Sequence, residues 1–160
     1  MADTTDRLTG LLADDFLRRE LDLECERARR FGRELAFVLV EPAVDDAVRA
    51  DMTYLVLKTV AREAGLKVRD IDKSVRWGQQ VLLLLPETGR AGAETVLQKI
   101  VESFGRIVFK HPEDGRVIPV ALKTSVLVFP HDGTEKETIL YNLREGLQLA
   151  PGSQTAAPSA

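Results

Sequence analysis

The amino-acid sequence predicts an α/β sandwich in which helices pack on a mixed sheet. The run at residues 35–40, Leu-Ala-Phe-Val-Leu-Val, is apolar at every position, as expected of a central strand covered on both faces. Residues 73–77 and 81–85 resemble strands on either side of a short polar turn with glycine, which indicates a hairpin. Segments with helical spacing of apolar residues lie before, between and after these strands. Helices that alternate with strands in this way are typical of the α/β class.

Each predicted helix has an apolar stripe, and several have a clear stop. Gly32 and Gly65 are expected to close the first two helices, and Pro42 to end the first strand. The tail at residues 150–160 is rich in Pro, Ser and Ala and is predicted to be disordered, so the domain is expected to span residues 1–149. The predicted helices cover residues 14–31, 45–64, 93–104 and 135–149, and two further strand candidates cover residues 106–110 and 117–129.

Composition bounds the possible functions. A chain of 160 residues with 44% hydrophobic content suits one domain with a full core. A net charge of -3 argues against a general nucleic-acid binder. Cys25, the single cysteine, excludes an internal disulfide and a cysteine-based metal cluster, and its spacing predicts a small core residue. Because no apolar run approaches the about 20 residues of a membrane helix, we expect a cytoplasmic protein with no direct membrane insertion.

Four segments, in order, resemble the GGDEF family of diguanylate cyclases. Residues 6–11, Asp-Arg-Leu-Thr-Gly-Leu, are similar to the family's opening turn, D-x-L-T-G-L. Residues 69–72 resemble the R-x-x-D motif of its inhibitory site, residues 76–88 its signature hairpin and exit, and residues 117–133 its late strand pair and turn. The resemblance spans about residues 6 to 148. It implies a cyclase-like fold, with a central, mostly antiparallel sheet surrounded by helices.

The same resemblance points to chemistry that this chain has lost. Joining two GTP molecules into cyclic di-GMP needs divalent metal held by carboxylates, which the family places in the hairpin turn and at the end of the first strand. Here the turn is Gly78-Gln79-Gln80-Val81, one residue shorter than G-G-D-E-F, with amides at both acidic positions. The family's closing C-terminal strand also has no obvious equivalent. We therefore expect a degenerate domain with no cyclase activity and no bound metal.

Other polar residues have ordinary structural interpretations. Glu41, Asp45 and Asp46 have the chemistry of metal ligands, but acidic residues near a helix start need no further cause. His111 and His131 lie in separate predicted turns, far apart in sequence, so neither is expected to bind metal or act in catalysis.

The R-x-x-D element keeps its family spacing upstream of the hairpin. An arginine can donate two hydrogen bonds to the O6 and N7 edge of guanine, and a carboxylate can accept from guanine N–H groups. In the family this pair binds an intercalated cyclic di-GMP dimer. By resemblance the candidate site comprises Arg69, Asp72, Lys99 in place of an arginine after the hairpin, and Arg27 in place of an arginine often supplied by a neighbouring subunit. The alternative is an exposed ion pair on a turn with two solvated helix residues.

These observations lead to competing functions. The first is a cyclic di-GMP receptor that acts through an unidentified protein partner or through homodimer formation. The second is a ligand-independent protein–protein interaction module built on an inactive cyclase fold. A residual enzyme acting on GTP is the third, and the missing carboxylates argue against it.

Overall fold

The computed structural model describes residues 17–45 and 50–155. Within these ranges, no helix is long and apolar enough to cross a bilayer. The elements in chain order are α1 (Leu17–Phe31), β1 (Leu35–Val44), α2 (Ala50–Leu66), β2 (Lys73–Trp77), β3 (Gln80–Pro86), α3 (Arg90–Gly105), β4 (Phe109–Lys110), β5 (Val117–Ile118), β6 (Val120–Phe129), α4 (Lys136–Glu145) and β7 (Gln148–Leu149).

Five strands form the central sheet in the order β2-β3-β1-β6-β7. Strand β1 pairs with β3 over residues 35–40 and with β6 over its whole length. Each pairing within this sheet is antiparallel, and β4 and β5 form a separate two-stranded sheet. The α/β class with a mostly antiparallel central sheet is thus confirmed.

The central strand β1 is buried on both faces, as its continuous apolar run predicts. Ala36, Val38 and Val40 belong to the core cluster that includes residues of α2 and α3. Phe37 and Leu39 point the other way, into the cluster that includes residues of α1 and α4. Alternate side chains of a strand point to opposite faces, so one strand contributes to both layers of the core.

The stripe of α1 packs into the second cluster and contains Cys25. Burial raises the pKa of its thiol to about 11, with the nearby charge of Arg29 acting in the opposite direction. Cys25 is therefore the small core residue that the sequence predicts.

Pro42 does not end the first strand, contrary to the sequence prediction. Strand β1 continues to Val44 and stays paired with β6. Its pairing with β3 stops at Val40, so the strand has only one neighbour at residues 41–44. A proline is tolerated where a strand has an open side, because no ladder hydrogen bond is lost there.

The C-terminal elements also differ from the prediction. Helix α4 ends at Glu145, and residues 148–149 form the short strand β7 on β6. This strand is a closing strand that the sequence pattern did not reveal. The predicted strand at residues 117–129 is divided at Pro119 into β5 and β6.

Residues 150–155, which the sequence assigns to a disordered tail, lie along β6 in the structure. The amide of Thr155 donates to the carbonyl of Val120 at 2.8 Å, and the amide of Val120 donates to Oγ1 of Thr155 at 2.9 Å. Ser153 is fully buried, and its Oγ accepts from the amide of Leu122 at 3.0 Å. The two hydroxyls satisfy backbone groups of a sheet edge, which composition alone does not indicate. Residues 156–160 lie outside the described residues.

A charged cluster fastens α1 to β2. Nζ of Lys73 donates to Glu20 and lies 2.9 Å from Glu24, whose side chain is only 3% exposed. Nη1 of Arg27 donates to the same Glu24 at 3.1 Å. Burial alone would lower the pKa of Lys73, but its hydrogen bonds to Glu20 and Glu24 outweigh burial and raise it.

We predict that Lys73→Met lowers the free energy of unfolding by about 1–3 kcal/mol, because a buried carboxylate loses a charged hydrogen-bond partner. Urea denaturation at neutral pH measures the change. The matched control is Lys99→Met, which removes an exposed lysine that has no ion pair within the described residues and should change stability by less than about 0.5 kcal/mol. Equal effects of the two substitutions would contradict the role given to the cluster.

Candidate functional site

The hairpin between β2 and β3 closes as a regular two-residue turn. Trp77 pairs with Gln80, which leaves Gly78 and Gln79 as the loop. Gly78 has a φ of +62°, the left-handed conformation that a two-residue turn with glycine at its first position requires. Its carbonyl accepts a hydrogen bond from Nε of Arg76 at 3.1 Å. The loop, which is one residue shorter than that of the family motif, therefore forms a regular hairpin turn.

Gln80 and Val81, which the sequence assigns to the degenerate turn, belong to β3 and are buried. The amide of Gln80 bridges two other elements. Its Nε2 donates to Oε1 of Glu41 on β1 at 3.1 Å, and its Oε1 accepts from Nε of Arg144 on α4 at 2.9 Å. An amide can donate and accept at once, whereas an ionised carboxylate only accepts. Gln80 thus suits both neighbours at this position.

Arg144 also covers the hairpin from the side of α4. Its guanidinium carbon lies 3.5 Å from the ring centroid of Trp77, a cation–π contact. The sequence pattern does not predict this role of Arg144. Its partners are 64 and 67 residues away along the chain, and no local pattern connects residues so far apart.

This arrangement does not suit magnesium, the metal that the family resemblance implies. Mg²⁺ prefers several hard oxygen ligands. The described residues contain no group of three or more His, Cys, Asp or Glu placed to hold a metal. Glu41 is hydrogen-bonded to Gln80, and the guanidinium of Arg144 adds a positive charge beside it. Asp46 and the opening turn at residues 6–11 lie outside the described residues.

The R-x-x-D residues are in direct contact with each other. Nη2 of Arg69 lies 3.1 Å from Oδ1 of Asp72, and Nε donates to Oδ2 at 3.4 Å. The backbone amide of Arg69 also donates to Oδ2, at 2.7 Å. The same Nη2 donates to the carbonyl of Pro86 at 2.8 Å and to Oγ1 of Thr88 at 2.9 Å. Arg69 therefore fastens the segment before β2 to the end of β3.

The two members of the pair differ in accessibility. The side chain of Asp72 is 2% exposed and both its oxygens accept from Arg69, whereas the side chain of Arg69 is 55% exposed. Nη1 of Arg69 has no hydrogen-bond partner among residues 17–45 and 50–155. The buried carboxylate holds the arginine, and Nη1 is the part of the guanidinium that remains unbonded within these residues.

The other two candidate residues do not converge with this pair in the same way. Arg27 is 63% exposed and paired with Glu24, and it lines a cavity whose wall includes Asp70. Lys99 is exposed on α3, and in the described part of the chain it contacts neither Arg69 nor Asp72. The structure thus joins Arg69 to Asp72, places Arg27 beside the same loop and leaves Lys99 without a contact to them.

Comparison with solved structures gives several close matches in fold. The diguanylate cyclase SiaD from Pseudomonas aeruginosa, solved with its activator SiaC, is 25% identical with a TM-score of 0.73, and the match covers 91% of this chain but 56% of SiaD. The GGDEF domain of DgcB from Caulobacter crescentus, solved with c-di-GMP, is 18% identical with a TM-score of 0.73, covering 91% of this chain and 88% of DgcB. The GGDEF domain of FimX from Pseudomonas aeruginosa is 15% identical with a TM-score of 0.78, covering 91% of both chains.

Comparison with curated protein sequences gives no match. The family model described as "Diguanylate cyclase, GGDEF domain" matches residues 3–152. Since this match extends over nearly the whole sequence and agrees with the fold, the chain belongs to the GGDEF domain family.

Proposed function

We propose that this chain is a GGDEF domain that does not synthesise cyclic di-GMP and instead binds it as a regulatory ligand at Arg69. The observation that carries the proposal is the state of Arg69, which is held by a buried carboxylate while its outer edge is exposed. A guanidinium fixed in this way loses little side-chain entropy on binding. Its Nη1, which is unbonded among the described residues, can donate to the O6 or N7 acceptor of guanine.

The proposal assigns different roles to the four candidate residues. Arg69 contacts guanine, and Asp72 is a positioning residue, because both its oxygens already accept from Arg69. Lys99 and Arg27 are assigned to phosphate groups, and Arg27 must then exchange its bond with Glu24 for one with the ligand. The DgcB domain, which has the same fold, was solved in complex with c-di-GMP.

We infer the absence of cyclase activity from the side-chain contacts that the hairpin makes. Its buried amide is bonded to Glu41 and Arg144, so the place of a metal-binding carboxylate is taken by an internal hydrogen-bond network. An uncharged amide neither neutralises a metal ion nor activates a hydroxyl for attack. We also propose that the domain needs no metal cofactor and that it works in the bacterial cytoplasm.

A second candidate function is a ligand-independent interaction module. The observation in its favour is the cavity beside α1, where Phe31 and Ile71 remain largely exposed. The matched cyclase SiaD was solved with a protein activator, SiaC. A partner protein, or a second copy of the chain, would then regulate the domain without a nucleotide.

We predict that the purified chain forms no cyclic di-GMP from GTP with Mg²⁺ or Mn²⁺, as measured by nucleotide chromatography. Gln80→Glu should also be inactive, because the turn remains one residue short and Arg144 still lies beside the restored acid. Product above that of a protein-free control would overturn the proposed loss of activity.

We predict that isothermal titration with cyclic di-GMP gives low-micromolar or tighter binding, and that Arg69→Ala weakens it by about 10- to 100-fold. The reason is that a hydrogen bond to a charged group contributes about 1.5–3 kcal/mol. Arg69→Lys keeps the charge but not the planar fork, so it should also bind weakly while remaining folded.

The matched control for this titration is Arg116→Ala. Arg116 is an exposed arginine, 3.8 Å from Asp114 in another turn, and its loss should leave affinity unchanged. Absence of heat with the unmodified chain, or equal loss in the Arg69 and Arg116 variants, would count against the receptor function.

A further inference from the structure

Thr88 joins Arg69 to the loop that follows β3. Its Oγ1 accepts a hydrogen bond from Nη2 of Arg69 at 2.9 Å and donates one to the carbonyl of Pro86 at 3.0 Å. The same Nη2 donates to that carbonyl at 2.8 Å, so the three groups close a small ring of hydrogen bonds. Within the described residues, Asp72 and Thr88 are the two side chains that bond to this guanidinium.

Gly92, in the first turn of α3, leaves room for the methyl group of Thr88. A Cβ atom at residue 92 would lie 2.9 Å from Cγ2 of Thr88, whereas ordinary contacts between carbon atoms are about 3.5–4.0 Å long. The methyl group and the hydroxyl turn together about χ1, so a side chain at 92 that displaces the methyl group also moves Oγ1 relative to Arg69. The missing side chain at 92 therefore permits the rotamer in which Thr88 reaches Arg69.

The backbone between the two acceptors of this ring has an unusual conformation. Glu87 has a φ of +53°, in the left-handed region that residues other than glycine seldom adopt. Its side chain forms one long, exposed ion pair, to Arg33 at 3.7 Å, and such a pair contributes little. Arg69, by contrast, bonds to the residues on both sides of Glu87. Because a strained residue persists only where its surroundings determine it, we attribute this loop conformation to the ring of bonds.

We propose that Thr88 is a positioning residue that orients the guanidinium of Arg69, and that Gly92 keeps Thr88 in the required rotamer. Asp72 bonds to Nε and Nη2 from the segment before β2, and Thr88 and Pro86 bond to Nη2 from the loop after β3. Contacts from two segments fix the guanidinium more narrowly than either does alone, and they leave Nη1 for the ligand. The effect on affinity rests on the proposed function, in which Arg69 contacts guanine.

Titration of Thr88 variants with cyclic di-GMP tests this role. Thr88→Val keeps the shape of the side chain but lacks the hydroxyl, so it should weaken binding by about 3- to 10-fold, the equivalent of one hydrogen bond. Thr88→Ser keeps the hydroxyl and should bind within about twofold of the unmodified chain. The matched control is Thr95→Val, since the hydroxyl of Thr95 donates to the carbonyl of Ala91 on the same helix and its loss should leave affinity unchanged.

Gly92→Ala separates the orientation of Arg69 from the stability of the fold. Alanine favours a helix more than glycine does, so the unfolding temperature should not fall. Binding should still weaken by about 3- to 10-fold, because the new methyl group displaces Thr88. Gly65→Ala is the matched control, since Gly65 also lies in a helix, α2, and a Cβ atom there meets no other atom within 4 Å. That variant should keep its affinity.

Nitrogen-15 NMR of the free chain follows the guanidinium of Arg69 without any ligand. Its N–H signals should be resolved in the unmodified chain and should broaden in Thr88→Val and Gly92→Ala, as the group becomes free to rotate. If the unmodified chain binds no cyclic di-GMP, the proposed function fails, and the NMR comparison still decides whether Thr88 orients Arg69. Unchanged signals in both variants would overturn the positioning role, as would full affinity of Thr88→Val where Arg69→Ala has lost it.

Discussion

The ion pair between Arg69 and Asp72 fixes the part of the molecule on which the proposed dinucleotide site depends. Three groups of Arg69 donate to the buried carboxylate, and the same side chain reaches the carbonyl of Pro86 and the hydroxyl of Thr88. A carboxylate that is 2% exposed needs such partners, since an unsatisfied buried charge costs more than one ordinary hydrogen bond. The pair thereby sets where β2 begins relative to the end of β3.

In the hairpin formed by β2 and β3, which follows this pair in the chain, the polar side chains form a hydrogen-bond network within the protein. Gln80 connects β3 to Glu41 on β1 and to Arg144 on α4, and Arg144 stacks on Trp77. The described residues contain no buried side-chain polar atom without a hydrogen-bond partner, so this region is satisfied without a metal or a nucleotide. The hydrogen bonds of this region therefore stabilise the fold. In the proposed function, ligand recognition takes place only at the outer surface near Arg69.

The sequence could predict the features that depend on local pattern. The two-sided burial of β1 follows from its unbroken apolar run, and the hairpin follows from two strand-like segments around Gly78. The family follows from ordered motifs that extend over most of the chain. Each of these signals is contained within a few consecutive residues or in their order.

The features that the sequence did not predict depend on contacts between distant segments. The bond between Gln80 and Arg144, the pairing of β7 with β6 and the burial of Ser153 all join residues that no local pattern relates. Pro42 was misjudged because its tolerance depends on how far β3 extends along β1. The hydrogen bonds from Arg69 to both oxygens of Asp72 are likewise visible only in the structure.

A double-mutant cycle on cyclic di-GMP affinity tests the central claim most directly. If Asp72 acts only by orienting Arg69, then Asp72→Asn weakens binding in the unmodified chain but has no further effect once Arg69 is Ala. If the two substitutions weaken binding independently, so that their effects add, Asp72 contacts the ligand itself and the account of the site is wrong.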